Sequence, residues 1–268
     1  MERVVLVTGA GSGLGRACVE YLARKGHRVY GGDVDPRPVN GVTMLRMDVT
    51  IDRSAAGAID WITEEAGRID VLINNAGFGI AGSIEDTSIE EAHRQFEVNF
   101  FGIFRMTRAA LPQMRRQGNG LIINVSSIGG LIAMPFQGLY SASKFAVEGF
   151  TEALRMEVRP FGISAVLVEP ADFHTGFTAA RRLVDAATEK SAYAPRLRDA
   201  LAVIEADELD GSHPRLVGPL IEKIMRSRHP RLRYMVGSRT EQLAALLKRT
   251  LPASAFAPLI ENHYRVGR

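Results

Sequence analysis

The chain alternates between short apolar runs and longer amphipathic segments, a pattern that only a few folds can accommodate. The runs are rich in β-branched residues, and the segments carry apolar residues every three or four positions, so they predict strands and helices in alternation. The predicted strands are 3–9, 28–33, 42–50, 70–77, 120–127 and 162–170, with 231–237 as a candidate seventh. The predicted helices are Gly13–Lys25, Arg53–Ala66, Ile89–Arg116, Gln137–Val158 and Pro214–Ser227.

Strands that are apolar on both faces and separated by helices imply a parallel sheet covered on both sides. We therefore predict an α/β fold with a doubly wound, Rossmann-type sheet of about seven strands and right-handed crossovers. The length of 268 residues fits a single domain, 1–268. Residues 171–212 show no strand pattern and are predicted to form a helical flap beside the active site. The tail from Ser238 is predicted to form two helices separated by a proline, near the pocket or a partner.

Composition excludes several classes of protein. The chain is 46% apolar and 24% charged, as soluble globular proteins are. Its 33 basic and 30 acidic residues give a formal charge of +3, and its arginine groups have few interleaved aromatics, so we expect no nucleic-acid partner. The single cysteine, Cys18, fits a reducing compartment, and we expect a cytoplasmic protein. The histidines show no ligand spacing and no apolar stretch spans a bilayer, so we expect neither a metal nor a membrane span.

The first predicted strand runs directly into the glycine-rich turn "TGAGSGLG" and then into a helix. Glycines let the backbone approach a ligand closely, and the free amides at a helix start favour an anion, so the turn predicts a diphosphate cradle. The spacing T-G-x-x-x-G-x-G is a weak signal by itself, and a tight turn without a ligand remains the alternative. The candidate contacts in this turn are Thr8, Gly9, Ser12, Gly13, Leu14 and Gly15.

Asp33 ends the second predicted strand, about 20 residues beyond Gly13. A carboxylate at this place accepts hydrogen bonds from an adenosine ribose and repels a 2′-phosphate. Since no lysine or arginine lies within the glycine turn, we expect NAD(H) as the cofactor and NADP(H) less. Arg37 is the residue that argues for NADP(H).

Tyr140 and Lys144 lie four positions apart in a predicted helix, so the two side chains share one face. A neighbouring ammonium favours the phenolate, which makes the tyrosine a usable acid or base. An interface tyrosine beside a solvated lysine is the alternative. Ser126 and Ser127 follow the strand just upstream, where open parallel sheets bind their ligands, and a hydroxyl there can hold a carbonyl oxygen.

These motifs together resemble the single-domain branch of the short-chain dehydrogenase/reductase family. "TGAGSGLG", "NNAG" at 74–77, the Asn99 of "VNFFG", the serines at 126–127 and "YSASK" at 140–144 stand in that family's order over most of the chain. The stretch "SSIGGLIAMPFQGLYSASKFAVEGF" is similar to members of the 17β-hydroxysteroid and retinol dehydrogenase kind. Ala171 stands where the family commonly has glycine, and alanine does not take positive φ cheaply.

The resemblance implies a catalytic tetrad. Tyr140 exchanges the proton with the substrate oxygen, and Ser127 orients and polarises the carbonyl. Lys144 holds the nicotinamide ribose and lowers the pKa of the tyrosine. Asn99 maintains a helix irregularity and a water that links Lys144 to solvent. The further cofactor contacts implied are Asp48, Val49, Asn75, Ala76, Gly77, Tyr140, Lys144, Pro170 and Thr175.

The expected reaction is reversible hydride transfer between NAD(H) and a secondary alcohol or ketone with a bulky apolar body. A non-catalytic NAD(H)-binding regulatory protein on the same fold is the alternative, and a sugar-nucleotide epimerase or dehydratase is disfavoured by the glycine spacing. The helices at 89–116 and 137–158 resemble those that pair in this family, so we expect a homodimer or homotetramer. Candidate pocket residues, which could equally fill the core, are Phe78, Ile80, Met134, Phe136, Phe173 and Phe177.

Overall fold

A computed structural model describes residues 2–267, and its central element is a sheet of seven parallel strands. All seven predicted strands are present; β2 has the predicted bounds, and the other six are shorter than their apolar runs. They are β1 (Val4–Thr8), β2 (Arg28–Asp33), β3 (Val42–Arg46), β4 (Val71–Asn74), β6 (Gly120–Val125), β7 (Ile163–Pro170) and β9 (Arg233–Val236). Two further strands of two residues each, β5 (Ile80–Ala81) and β8 (Arg182–Leu183), pair with each other outside this sheet.

Helices cover both faces of the sheet. The five predicted helices are present, and the tail forms two helices separated at Pro252, as expected. In chain order the helices are α1 (Gly13–Arg24), α2 (Asp52–Ala66), α3 (Ile89–Phe96), α4 (Gly102–Gln117), α5 (Gly138–Val158), α6 (Phe177–Ala180), α7 (Ala194–Leu209), α8 (Val217–Arg226), α9 (Arg239–Thr250) and α10 (Ala253–His263).

The order of the strands places a crevice at the centre of the sheet. The order is β3-β2-β1-β4-β6-β7-β9, so the chain winds outward from β1 in one direction and from β4 in the other. The loops that follow β1 and β4 therefore leave the sheet on either side of a topological switch point, where open parallel sheets bind ligands. This is the doubly wound architecture that the sequence predicts.

The residues of β1 show why the sheet must be covered twice. Val5 and Val7 belong to one hydrophobic cluster, whereas Val4 and Leu6 belong to another on the opposite face. All four side chains are buried, and the same alternation holds along the central strands. Because successive side chains of a strand point to opposite faces, a strand without polar residues requires helices on both.

Two sequence predictions need correction in detail. The helix predicted over 89–116 forms as α3 and α4 with a π-helical turn, Glu97–Phe101, between them, at the place where the family resemblance implies a helix irregularity. The segment 171–212 holds the helices α6 and α7, but about half of it is not helical, and it also holds β8, which the sequence pattern misses. β8 is only two residues long and is stabilised by pairing with Ile80–Ala81, a contact that no local pattern can reveal.

Candidate active site

The glycine turn after β1 brings the backbone close to the end of β4. Gly9 and Gly13 both have positive φ, 66° and 52°. A β-carbon at Gly15 would lie 2.1 Å from the carbonyl oxygen of Gly9, so only glycine fits there. Ser12 begins α1 without a side-chain cap in the described chain, which leaves the first amides of the helix to other acceptors.

Thr8 and Asn75 fix this turn to the loop that follows β4. The Thr8 hydroxyl accepts hydrogen bonds from the backbone N–H groups of Asn75 (3.0 Å) and Ala76 (2.9 Å). The side-chain amide of Asn75 donates to the carbonyl oxygens of Thr8 (2.9 Å) and Gly9 (3.1 Å). The two loops at the switch point are therefore held as one rigid rim.

A single cavity of about 430 Å³ extends from this rim to the ends of β6 and β7. Three of the predicted site residues do not line it: Thr8 and Gly15 hold the glycine turn, and Asn99 lies behind the wall. The predicted residues that do line it are Gly9, Ser12, Gly13, Leu14, Asp33, Asp48, Val49, Asn75, Ala76, Gly77, Ser127, Tyr140, Lys144, Pro170 and Thr175.

Asp33 lines the cavity at the end of β2. Its carboxylate accepts hydrogen bonds from the backbone N–H groups of Gly11 (2.8 Å) and Asp35 (3.0 Å). Arg37 is exposed, pairs with Asp35 at 3.2 Å and is not part of the cavity wall. Lys144 is the only lysine or arginine that lines this cavity in the described chain.

Tyr140 and Ser127 converge from two different elements. Tyr140 lies in the first turn of α5, and Ser127 follows β6 and accepts a 3.0 Å hydrogen bond from the N–H of Gly129. A β-carbon at Gly129 would lie 3.1 Å from Cε1 of Tyr140 and 3.4 Å from Oγ of Ser127, so both side chains meet at this glycine. The hydroxyl of Ser127 is therefore placed beside the phenol.

The electrostatic environment of Tyr140 differs from the one that the sequence predicts. Burial raises its pKa to about 12, and a hydrogen bond with Ser127 acts in the opposite direction. The charges of Asp172 and Glu208 raise this pKa further. The net shift is therefore upward, whereas the spacing to Lys144 favours a lowered pKa, because removal of the phenol from water is the largest effect.

Lys144 is held under the tyrosine by the adjoining strand. Its Nζ lies 5.8 Å from the centre of the Tyr140 ring and donates a 3.0 Å hydrogen bond to the carbonyl oxygen of Val125. Burial lowers the pKa of Lys144 to about 8, although the Glu148 carboxylate favours the charged form. The two side chains thus share one helix face, as their spacing predicts.

Asn99 lies in the π-helical turn, which agrees with the helix irregularity expected there. Its amide nitrogen donates to the carbonyl oxygen of Phe78 (3.0 Å), and its amide oxygen accepts from the N–H of Phe78 (3.1 Å). A β-carbon at Gly77 would lie 3.2 Å from Oδ1 of Asn99 and 3.7 Å from Nζ of Lys144. Asn99 therefore fixes the loop after β4 next to the lysine.

Four of the six apolar residues that the sequence offers for the pocket line the cavity. Phe78, Met134, Phe173 and Phe177 line the cavity. Ile80 and Phe136 do not: Ile80 is buried in β5. Sequence alone could not separate pocket residues from core residues, because both kinds are apolar and lie on the same segments.

Three acidic side chains and a tyrosine form a part of the wall that the sequence does not predict. Asp172 follows β7, Asp207 and Glu208 come from α7, and Tyr264 follows α10. Burial and the nearby charges of Glu241, Glu208 and Asp207 raise the pKa of Asp172 to about 7. Asp172 could have been found from its place just beyond a parallel strand, whereas α7 and the tail carry no such signal.

One of these acids is neutralised within the wall. Glu208 forms a buried ion pair with Arg181 and accepts a 2.5 Å hydrogen bond from the hydroxyl of Thr178. The carboxylate of Asp207 pairs with His263 at 2.9 Å on the outer side. Asp172 has neither kind of partner for its carboxylate among the described residues, although its N–H donates to Glu241 (2.8 Å).

Ala171 does not disturb the loop after β7. Positive φ among the described non-glycine residues is confined to Phe136 and Arg265, so alanine at 171 is under no backbone strain. The N–H of Ala171 donates a 2.8 Å hydrogen bond to Val236, which continues the pairing of β7 with β9. Pro170 and Thr175 both line the cavity.

The fold and the cavity define a dinucleotide-binding oxidoreductase. Comparison with known proteins identifies the group: the family described as short chain dehydrogenase matches residues 3–185. The chain belongs to this family, whose members act on CH–OH groups with a nicotinamide dinucleotide.

Individual relatives agree with this assignment. A Bacteroides thetaiotaomicron protein named 3-ketodihydrosphingosine reductase is 45% identical over 265 residues, 98% of each chain. The crystal structure of a Streptomyces avermitilis short-chain dehydrogenase superposes with a TM-score of 0.82 at 31% identity, covering 100% of this chain and 99% of that one. A Burkholderia phymatum family member in complex with NAD gives 0.79 at 26% identity, covering 96% and 95%.

The geometry fits the dinucleotide that the family uses. Gly9 and Gly13 line the cavity at the glycine turn, and without side chains there a diphosphate can approach the backbone closely. Asp33 and Asp48 line the part of the cavity at β2 and β3, and Lys144 and Thr175 line the part at α5 and β7. Within residues 2–267 no group of three or more His, Cys, Asp or Glu side chains is arranged to hold a metal, and no helix is long and apolar enough to cross a bilayer.

Proposed function

We propose that this protein reduces the keto group of a long-chain amino ketone with NADH, and catalyses the reverse oxidation, with Tyr140 as the acid and base. One observation carries the proposal: Ser127, Tyr140 and Lys144 line the same continuous cavity as the glycine turn. When bound, the dinucleotide supplies or accepts a hydride at C4 of its nicotinamide.

Each side chain has a task that its position supports. Tyr140 donates its phenolic proton to the substrate oxygen as charge develops there, and accepts it in the reverse direction. Ser127 donates a hydrogen bond to the same oxygen and keeps the carbonyl beside the phenol. Lys144 binds the nicotinamide ribose, and its charge stabilises a phenolate when one forms. Asn99 is a positioning residue, since it contacts the loop at Phe78 rather than the cavity.

The preference for NADH is supported by the charges around the adenosine end. Asp33 would repel a 2′-phosphate, and Lys144, the only lysine or arginine on this cavity wall in the described chain, lies at the other end. Arg37 is paired with Asp35 rather than directed into the cavity. A phosphate at the ribose would therefore meet a carboxylate without a cation to balance it.

The substrate class is supported by the chemistry of the opposite wall. The relative that shares 45% of its residues is named for 3-ketodihydrosphingosine, a ketone that carries an amino group and a long alkyl chain. The cavity offers the carboxylate of Asp172 for an ammonium group, and apolar side chains for an alkyl chain at Phe173 and Phe177. This substrate satisfies the earlier expectation of a bulky apolar body and adds a cationic group.

The test is the oxidation of NADH, followed by its absorbance, with 3-ketodihydrosphingosine in detergent micelles. We expect turnover with this amino ketone and a higher KM for a ketone of equal length without the amino group. Dinucleotide binding without turnover on either ketone would instead support a regulatory role. Turnover on the amine-free ketone alone would contradict the amino-ketone class but leave the redox assignment intact.

We further propose that copies of the chain associate through α4 and α5. Phe101, Phe104 and Phe145 lie on or next to these helices and are each 42–44% exposed. A group of exposed aromatic side chains is typical of a surface that binds a partner. Phe101 makes an edge-to-face contact with Phe100, and Phe104 makes one with Phe150. Phe100 and Phe150 also contact each other, so the four rings form one aromatic cluster. A second copy that covers this surface gives the homodimer or homotetramer expected from the sequence.

A further inference from the structure

The two C-terminal helices, α9 and α10, pack over the catalytic side of the sheet. Ala245 of α9 and Phe256 of α10 are buried in one hydrophobic cluster with Ile128 and Ala171, which flank the cavity. Glu241 accepts the backbone hydrogen bond from Asp172, and Tyr264, just after α10, lines the cavity itself. This helical pair is therefore part of the wall around the substrate side of the site.

The outward face of α9 is apolar, which reverses the usual pattern of a surface helix. Leu243 is 55% exposed, Leu246 53% and Leu247 37%, and their spacing of three and four places them on the face opposite buried Ala245. Leu259 of α10 is also 53% exposed. Single exposed leucines are ordinary, but a group of them on one helical pair is typical of a surface that binds a membrane or another molecule.

Most of the charged side chains from 239 to 267 are positive. Arg239, Arg249 and Arg265 are exposed and take part in none of the ion pairs formed within residues 2–267. The segment from 239 to 267 holds only two acids, and one of them, Glu241, is turned inward to Asp172. Leucines flanked by free arginines complement a bilayer surface, whose acyl boundary is apolar and whose headgroups are anionic.

We propose that α9 and α10 dock this protein on the surface of an anionic membrane, with Leu243, Leu246 and Leu247 in the boundary between headgroups and acyl chains. Since no helix of residues 2–267 can span a bilayer, the attachment is to the surface alone. Docking brings the wall at Tyr264 next to the lipid, so a long-chain substrate enters the cavity without crossing water. This last step rests on the proposed function, whereas the docking does not.

The experiment measures binding of the full chain to vesicles by sedimentation, without cofactor or substrate. The vesicles are pure phosphatidylcholine or the same lipid mixed with phosphatidylglycerol. We expect the protein to sediment with the anionic vesicles and to bind neutral ones at least about tenfold more weakly, because each arginine contributes about a factor of five near a charged surface. Added salt should weaken the binding to anionic vesicles.

Two variants separate the apolar and the charged contributions. L243Q/L246Q/L247Q should lose at least about tenfold in partitioning to anionic vesicles, because three leucines no longer enter the acyl boundary. R239Q/R249Q should lose a similar factor on anionic vesicles and change little on neutral ones. The matched control is I89Q/L209Q/L216Q, which removes three exposed apolar side chains outside the helical pair and should bind like the parent.

The proposal is overturned if the parent protein does not sediment with anionic vesicles, or if the control variant loses binding as strongly as the leucine variant. A second copy of the chain is the competing occupant of this face. A second copy is indicated if the leucine variant has a lower molar mass than the parent in light scattering and the parent does not bind vesicles. Thermal unfolding of each variant checks that the fold is retained.

Catalysis is measured separately so that the two proposals can fail independently. The leucine variant should keep the kcat of the parent on a short, water-soluble ketone, because none of its changed residues lines the cavity. It should lose rate only when the long-chain substrate is presented in anionic vesicles. An inactive parent protein that still sediments would refute the catalytic proposal and leave the docking surface standing.

Discussion

The ammonium of Lys144 lies 5.8 Å from the centre of the Tyr140 ring, and a 3.0 Å hydrogen bond to Val125 ties it to the end of β6. One helical turn of α5 thus presents a phenol and a cation together, while the hydrogen bond to β6 fixes the position of the ammonium. The phenol is buried and its pKa is about 12, so the ground state is the neutral acid that ketone reduction requires.

Replacing Tyr140 by phenylalanine should lower kcat for ketone reduction by about 10²- to 10⁴-fold, because the proton donor is removed. The Kd for NADH, measured by fluorescence titration, should be unchanged. Tyr193→Phe is the control, since the Tyr193 hydroxyl bonds to Glu85 at 2.7 Å on the surface and should not affect the rate. Retention of most of the activity in Y140F would assign the proton transfer to another group.

The kcat/KM with NADH should exceed that with NADPH by about tenfold or more, the ratio that 1.4 kcal/mol of charge repulsion produces. Asp33→Asn should narrow this ratio, because the charge that faces the ribose is lost. Asp60→Asn removes an exposed acid on α2, away from the cavity, and should leave the ratio unchanged. A higher kcat/KM with NADPH in the parent protein would contradict the assignment.

The KM for the amino ketone should depend on pH around neutrality. The pKa of Asp172 is raised from 3.8 to about 7, so its carboxyl is largely protonated below pH 7 and charged above it. An ammonium group binds the charged form better, so KM should fall as the pH rises through 7, until the amine itself loses its proton. The same ketone without the amino group should show no such change, and neither should Asp172→Asn with the amino ketone. Equal pH profiles for both ketones would exclude an ammonium at Asp172.

Gly15→Ala should destabilise the protein by about 1–3 kcal/mol, because the new β-carbon would lie 2.1 Å from the Gly9 carbonyl oxygen and must displace the turn. Binding of NADH should weaken as well. Gly57→Ala is the matched control in α2, where a β-carbon meets nothing within 4 Å, and it should stabilise by about 0.5–1 kcal/mol. Urea unfolding gives both free energies, and equal stability of the parent and G15A would refute the close packing of this turn.

Light scattering should report a dimer or tetramer for the parent protein. Phe101→Gln combined with Phe145→Gln should shift it toward the monomer, because both rings leave the proposed interface. Leu216→Gln, at a residue that is 46% exposed on another part of the chain, should not change the molar mass. A parent protein that is monomeric at all concentrations would remove the proposed interface.

Much of this protein follows from local pattern. The seven strands, the glycine turn and the helix that carries Tyr140 and Lys144 were all predicted, because period-two and three-to-four spacings record which faces are buried. Gly15 was predicted as a cofactor contact, yet it packs against Gly9 and Asn75 behind the turn. The sequence showed that glycine matters at position 15, but it did not show which residues leave no room for a β-carbon there.

Tertiary structure decided what surrounds the reacting tyrosine. Asp207, Glu208 and Tyr264 reach the cavity from segments far along the chain, where no strand end or motif marks them. The sequence placed a cation one turn from Tyr140 and so favoured a lowered pKa, whereas the folded chain buries the phenol among carboxylates and raises it. Spacing along a helix determines which side chains share a face, but dielectric environment and charge depend on every element packed around them, and these exist only once the chain has folded.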